Sequence, residues 1–313
     1  MKTLRIVFMG TTEFGVPALE NLVNSEHQVV AVIAQPDRPN KRGKKITALP
    51  LKAKAVDLGI EVLQPENIKD PEFVGKLKSY QADVFIVAAY GQMLSAEILF
   101  MPTHGSLNIH GSLLPKYRGA APIQRAIIKG EEKAGVTIMQ MGLGMDTGDM
   151  LSKTEKAITN DTTFGTLHSD LAQLGATLLM KTLADLILGK LDPRVQNEEL
   201  ATYAPKISKD TGHIIWDLKS QEILALINGA DPQPGAYFIY GTDKIKCFKP
   251  EIIPWSGNEL PGTLLMASGQ EGLIVKTGDN AISIKEVLAP GKKRMAARVF
   301  LRGNAMETGK ILK

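Results

Sequence analysis

A single cysteine, Cys247, occurs in 313 residues. It has no partner for an internal disulfide, so a disulfide-stapled scaffold is excluded. Histidine is also scarce, at five scattered positions, and neither a structural zinc site nor any other metal is expected. Long apolar runs are missing. The longest is Val84–Tyr90, against the roughly 20 residues that cross a bilayer. The apolar run after Lys2 and Arg5 stops at Gly10, too short for the core of a secretory signal. The expectation is a cytoplasmic chain with no membrane partner. Aromatic residues are few at 5%, yet the apolar total of 44% supplies a large aliphatic core and excludes general disorder. The length suits two domains of about 150 residues each.

Net charge is only +4, but it is unevenly spread. Pro36–Lys45 carries Arg38, Lys41, Arg42, Lys44 and Lys45 against Asp37 alone. Lys285–Lys313 carries eight basic residues against Glu286 and Glu307. The rest of the chain is net acidic. Two separate basic segments fit a polyanionic partner that touches both, because phosphates reward clustered Lys and Arg. They fit a solvated lysine-rich surface equally well.

Leu4–Met9, Val29–Ala34, Ala82–Ala89 and Gly105–Ile109 are short apolar runs bounded by Gly, Pro or Asn, as buried parallel strands are. Candidate helices lie between them at Val16–Ser25, Leu51–Leu58 and Pro71–Ser79. This alternation predicts an α/β fold with a doubly wound, mostly parallel sheet. Apolar residues at steps of three and four predict a long helix over Thr163–Leu188, with Gly189 beyond its end. Residues 190–207 are rich in breakers and poor in periodicity, which predicts a linker. A short helix near Gln221–Ile227 and five strand-like runs between Ala236 and Val287 follow at hairpin spacing. They predict a small β-barrel. The expected domains are therefore 1–189, a linker over 190–207, and 208–313.

Gly10–Gly15 lies between the first strand and first helix, where nucleotide folds hold phosphate, but it has neither G-x-G-x-x-G nor a following Lys-Ser/Thr. Its glycines are expected to permit a tight turn, with no nucleotide cofactor. Asn108 and His110, two apart on a strand, project to the same face, at the carboxyl edge where open sheets place ligands. Alone, such a pair also fits the capping of a strand end. A glycine-rich loop, Gly142–Met150, brings Asp146 and Asp149. Were Asp146 to reach His110 it would orient the ring, and amide, imidazole and carboxylate together suit acyl transfer. No serine or cysteine nucleophile is evident, which favours direct attack by a substrate amine. Asp149 fits either function or a turn. His27, His104, His168 and His213 have no carboxylate partner in a recognisable motif and are expected to be structural or on the surface.

Asn108-x-His110-x-Ser112-Leu-Leu-Pro115-x-x-x-Gly119 followed by Asp146-Thr-Gly-Asp149 resembles the formyltransferases that use 10-formyltetrahydrofolate. Gln35–Pro39, Arg42–Lys45, Thr202–Lys206, Pro290–Met295 and Phe300–Gly303 resemble the members that act on initiator methionyl-tRNA, so the similarity spans essentially the whole chain. One departure is Gln233, where relatives commonly carry Trp. The resemblance implies a Rossmann-like formyltransferase domain followed by an OB-like barrel that binds tRNA. It implies catalytic roles for Asn108, His110 and Asp146, and a folate site bordered by Ser112, Leu113, Leu114 and Pro115. It also implies tRNA contacts from Arg42, Lys44 and Lys45, a folate co-substrate without a metal, and a monomeric chain whose partners are folate and initiator methionyl-tRNA.

Overall fold

A computed structural model describes residues 3–38 and 47–313. The chain divides into two compact units. One comprises 1–119, 134–156 and 168–203, the other 120–133, 157–167 and 204–313.

In the first unit, β1 (Arg5–Gly10) runs through a 3-10 turn at Glu13–Gly15 into α1 (Val16–Val23), and β2 (Gln28–Ile33) and α2 (Pro50–Asp57) follow. Next come β3 (Val62–Leu63), α3 (Pro71–Ser79), β4 (Val84–Ala88), α4 (Ala96–Leu99) and β5 (Ser106–His110). The N-terminus of α3 is set locally: the Asp70 carboxylate accepts from the amides of Glu72 and Phe73 at 3.0 and 3.4 Å, satisfying two of the donors a helix start leaves free. β1 is parallel to β2 and β4, and β4 is parallel to β5. Val7, Met9, Ile33, Phe85, Val87 and Ile98 pack together on one side of these strands. Each such fully buried side chain contributes about 1.5–3 kcal/mol of transfer free energy.

The sheet runs β3-β2-β1-β4-β5-β6-β7, with the strand order reversing between β1 and β4, the point beside which open α/β sheets bind ligands. β6 (Lys133–Gln140) and β7 (Met150–Ala157) were not legible as strands, and β6 is antiparallel to β5. Gly135 interrupts the apolar character of β6. β7 reads MLSKTEKA, polar on most positions and largely exposed. The two-residue β3, α4 and α5 (Pro122–Ile128) are too short to impose a period. The expected long helix is present as α6 (Phe164–Ile187). A side chain at Gly175 would meet Ile109 at 2.9 Å and Val136 at 3.2 Å, so α6 lies close on β5 and β6 only because that position has none. Ile109 therefore faces α6, and its neighbours Asn108 and His110 face the other way.

The second unit contains α7 (Ser220–Ala230), β8 (Ala236–Tyr240), β9 (Asp243–Ile253), β10 (Leu264–Ser268), β11 (Gly272–Lys276), β12 (Ala281–Leu288), β13 (Met295–Ala296) and α8 (Ala297–Arg302). The antiparallel sheet runs β10-β11-β12-β9-β8. The C-terminal residues connect its two ends. The Leu264 amide donates to the Lys310 carbonyl and the Leu312 amide to that of Gly262, both at 2.9 Å, while the Ile239 amide donates to the Lys313 carbonyl at 2.6 Å. The result is a small β-barrel around Trp216, Phe238, Cys247, Ile282, Val287 and Phe300. Among the described residues no helix is long and apolar enough to cross a membrane.

Candidate active site

β5 delivers Asn108 and His110 to its carboxyl end. Among the described residues the Asn108 amide has no hydrogen-bond partner, although it is half-buried on a strand where an unused amide is costly unless a ligand or water takes it. His110 is buried. Its Nε2 lies 3.1 Å from the Tyr117 carbonyl. A carbonyl only accepts, so Nε2 carries the hydrogen and donates it. Nδ1 then faces the Asp146 carboxylate at 3.7 Å, beyond a direct hydrogen bond but within the reach of an ion pair or a bridging water. The sequence expectation that Asp146 approaches His110 is met in space.

Asp146 is held from two sides. Its Oδ2 accepts from the Gly119 amide at 2.8 Å, and its main-chain carbonyl accepts from Gln196 Nε2 at 2.8 Å. The loop carrying it presses back on β6. A side chain at Gly148 would stand 1.8 Å from the Gln140 carbonyl, a collision no rotamer relieves. Asp146 has φ +54° and Tyr117 φ +61°. Such left-handed conformations cost about 1–3 kcal/mol each and persist only where the surroundings over-determine them. Here both belong to residues that hold or form the His110–Asp146 pair.

The segment after β5 is fixed from below by Thr137. Its hydroxyl donates to the Ser112 carbonyl at 2.7 Å and accepts from the Leu114 amide at 3.2 Å. The Ser112 hydroxyl donates to the Lys116 carbonyl at 2.7 Å. Ser112 and Leu114 are buried, whereas Leu113 and Pro115 are partly exposed. Asp149 contributes its main chain, accepting from the Gln140 amide at 2.9 Å. Arg42, Lys44 and Lys45 lie outside the described residues.

Sequence reasoning missed a second group. Arg118 is fully buried. Its Nε donates to Gln196 Oε1 at 3.0 Å, and its two terminal nitrogens donate to the two oxygens of Glu198 at 2.8 and 2.7 Å. The guanidinium holds the Glu198 carboxyl below its ordinary value through these bonds. The same bonds stabilise the guanidinium's own charge and raise its value in turn. Thr202 completes the contact, taking the Tyr117 amide on its hydroxyl and the Arg118 amide on its carbonyl. The partners lie about 80 positions apart in sequence, on a stretch without periodicity, so no local signal announces them.

Three of the other four histidines have structural surroundings. His27 accepts from the Leu4 amide, His168 lies against Phe14 and His213 stacks on Tyr237. Burial lowers the values of His27 and His168. The C-terminal basic segment is partly committed as well. Arg294 makes a bidentate pair with Asp231, bonds Glu286 and lies over the Phe248 ring. Gln233 accepts on its carbonyl from Gln124 Nε2 at 2.9 Å.

An open α/β sheet carrying an amide, an imidazole and a carboxylate at its carboxyl edge has the parts that group transfer uses. The sequence pattern of the family described as "Formyl transferase" matches residues 4–183, and that of "Formyl transferase, C-terminal domain" matches 206–305. The chain belongs to the formyl transferase family. It is 48% identical over 311 residues to a methionyl-tRNA formyltransferase of Caldanaerobacter subterraneus, covering 99% of this chain and 100% of that one. It is 44% identical over 311 residues to the enzyme of the same name from Ruminiclostridium cellulolyticum, covering 99% of each. In fold it is similar to an N-formyltransferase from Helicobacter canadensis solved with folinic acid and dTDP-3-aminofucose. The TM-score is 0.66 at 20% identity, over 90% of this chain and 99% of that one.

Proposed function

We propose that the chain transfers the formyl group of 10-formyltetrahydrofolate to the α-amine of methionine esterified to initiator tRNA. The observation that carries the chemistry is the convergence of His110 and Asp146 at 3.7 Å beside the Asn108 amide, which has no partner among the described residues. Full-length similarity to methionyl-tRNA formyltransferases supports the acceptor.

The attacking amine must be neutral. An α-amino group with a pKa near ~8 leaves a usable neutral fraction at neutral pH. Its lone pair forms the new C–N bond at the formyl carbon, and the carbonyl electrons move to oxygen. Asn108 supplies an N–H donor to that oxyanion, and His110 joins it when its Nε2–H turns from the Tyr117 carbonyl to the substrate oxygen. Asp146 accepts the proton released by the amine, directly or through water. Collapse breaks the bond to folate N10, which takes up a proton, and the amide product remains on the tRNA. Leu113 and Pro115 offer exposed edges to the folate, while Ser112 and Leu114 shape the segment from inside. Arg42, Lys44 and Lys45 are assigned to the tRNA on sequence grounds, since clustered cations reward phosphate and Arg makes bidentate contacts to bases.

The test is a formylation assay with 10-formyltetrahydrofolate and three acceptors: charged initiator tRNA, an amino sugar nucleotide and glycinamide ribonucleotide. Transfer to the charged tRNA alone is expected. Preferential transfer to either small amine overturns the proposal.

A further inference from the structure

We propose that Arg118 and Gln196 are positioning residues for the formyl-transfer chemistry, forming a strap from the 194–203 segment to the Asp146 loop. The proposal rests on the catalytic reading of Asp146 given above.

The chain of contacts is continuous. The Glu198 carboxylate holds the Arg118 fork, and Arg118 Nε holds Gln196 Oε1. That bond turns the Gln196 amide so that Nε2 reaches two loop carbonyls, those of Asp146 and Gly148, at 2.8 Å each. Arg118 also stands between two residues that hold the catalytic side chains. Tyr117 before it accepts from His110, and Gly119 after it donates to Asp146. One buried guanidinium thus fixes the main chain on both sides of the His110–Asp146 gap. Gln196 adds what Gly119 cannot, since it grips the loop backbone and thereby sets where the carboxylate hangs. A fully buried cation whose side-chain hydrogen bonds to Gln196 and Glu198 all run to the 194–203 segment is poorly explained as surface charge. Lysine gathers its three donors on one nitrogen and lacks the planar fork that spans Gln196 and both Glu198 oxygens here.

The experiment compares Gln196→Glu, Arg118→Lys and Asp146→Asn, singly and with Asp146→Asn combined with Gln196→Glu, in single-turnover and steady-state formylation. Gln196→Glu keeps an acceptor for Arg118 and removes the donors to the loop. It is expected to lower kcat about ten- to hundredfold, as loss of outer positioning contacts does, with KM for both substrates nearly unchanged. Arg118→Lys is expected to fall in the same range, although charge is kept. In the double variant the two losses should fail to multiply, because Gln196 acts through Asp146. If Gln196→Glu does not fold, the exposed Glu198→Gln substitutes, with a smaller loss of kcat that likewise fails to multiply. Wild-type kcat in Gln196→Glu, full rescue by Arg118→Lys, or multiplying losses overturns the strap alone. Wild-type turnover by Asp146→Asn overturns the catalytic reading beneath it.

Discussion

The amide of Gly119 and the carboxylate of Asp146, 27 positions apart, meet in a hydrogen bond of 2.8 Å. The bond uses the oxygen that also faces His110 Nδ1. Asp146 is thus held near the imidazole by a main-chain donor that no side-chain substitution removes, which keeps the site's geometry intact when its other members are changed one at a time.

For that reason Asn108→Ala and His110→Ala are expected to leave folding unchanged and to lower kcat by on the order of a hundredfold or more, the usual cost of one oxyanion donor. Turnover of charged tRNA, with circular dichroism as the folding control, measures both.

Thr137 serves stability and site shape together. Thr137→Val keeps the volume but leaves the buried Ser112 carbonyl and Leu114 amide without the hydroxyl. The expected loss is about 1–3 kcal/mol in a urea titration, with a rise in KM for folate, which we assign to that segment.

Arg294 is an anchor within the barrel unit. Arg294→Ala should cost about 1–2 kcal/mol, reduced from the fully buried case because the side chain is one-third exposed. The salt dependence of tRNA binding should stay as it was. A shallower salt slope would instead make it a phosphate contact. Its partner Glu286 has a carboxyl held below the ordinary range, first by the Lys249 ammonium and then by Arg294. A depressed value stabilises the fold above the ordinary carboxylate pKa of ~4.3 and ceases to as pH falls through the depressed one. The stability difference between the native chain and Glu286→Gln should therefore be full at neutral pH and shrink on acidification below about pH 4.

Cys247 is fully buried in the barrel, and burial pushes its thiol well above the ordinary range. A thiol reagent should find no reactive group in the native chain and one after denaturation. Labelling of native protein would show the barrel opening.

Arg42→Ala is expected to impair formylation of charged tRNA, through KM and with steeper loss at higher salt, while folate binding measured by calorimetry stays unchanged. A weakened folate affinity would place Arg42 elsewhere.

The fold was legible where burial writes itself into sequence. β1, β2 and β4 are largely continuous apolar runs because their side chains are buried, and α6 shows its period because Leu171, Leu179 and Leu183 are buried. β7 was hidden because its exposed edge imposes no pattern. Asn108 and His110 were legible through a period of two, and Asp146 through the glycines that bend its loop. The alignment of the tether was not. Gln196 and Glu198 lie in a breaker-rich stretch and Arg118 in a distant motif, and only folding brings them together across about 80 positions.

One consequence concerns how the polypeptide can be divided. α5 packs against α7, and Ile128 lies on the barrel unit's apolar core, although both belong to a stretch that precedes β6 in the sequence. A fragment begun near residue 204 would leave that helix behind and bare the α7 surface it covers. No single scissor cut therefore yields two self-sufficient pieces. Separate expression of the barrel would call for a rewired gene that splices 120–133 back onto it.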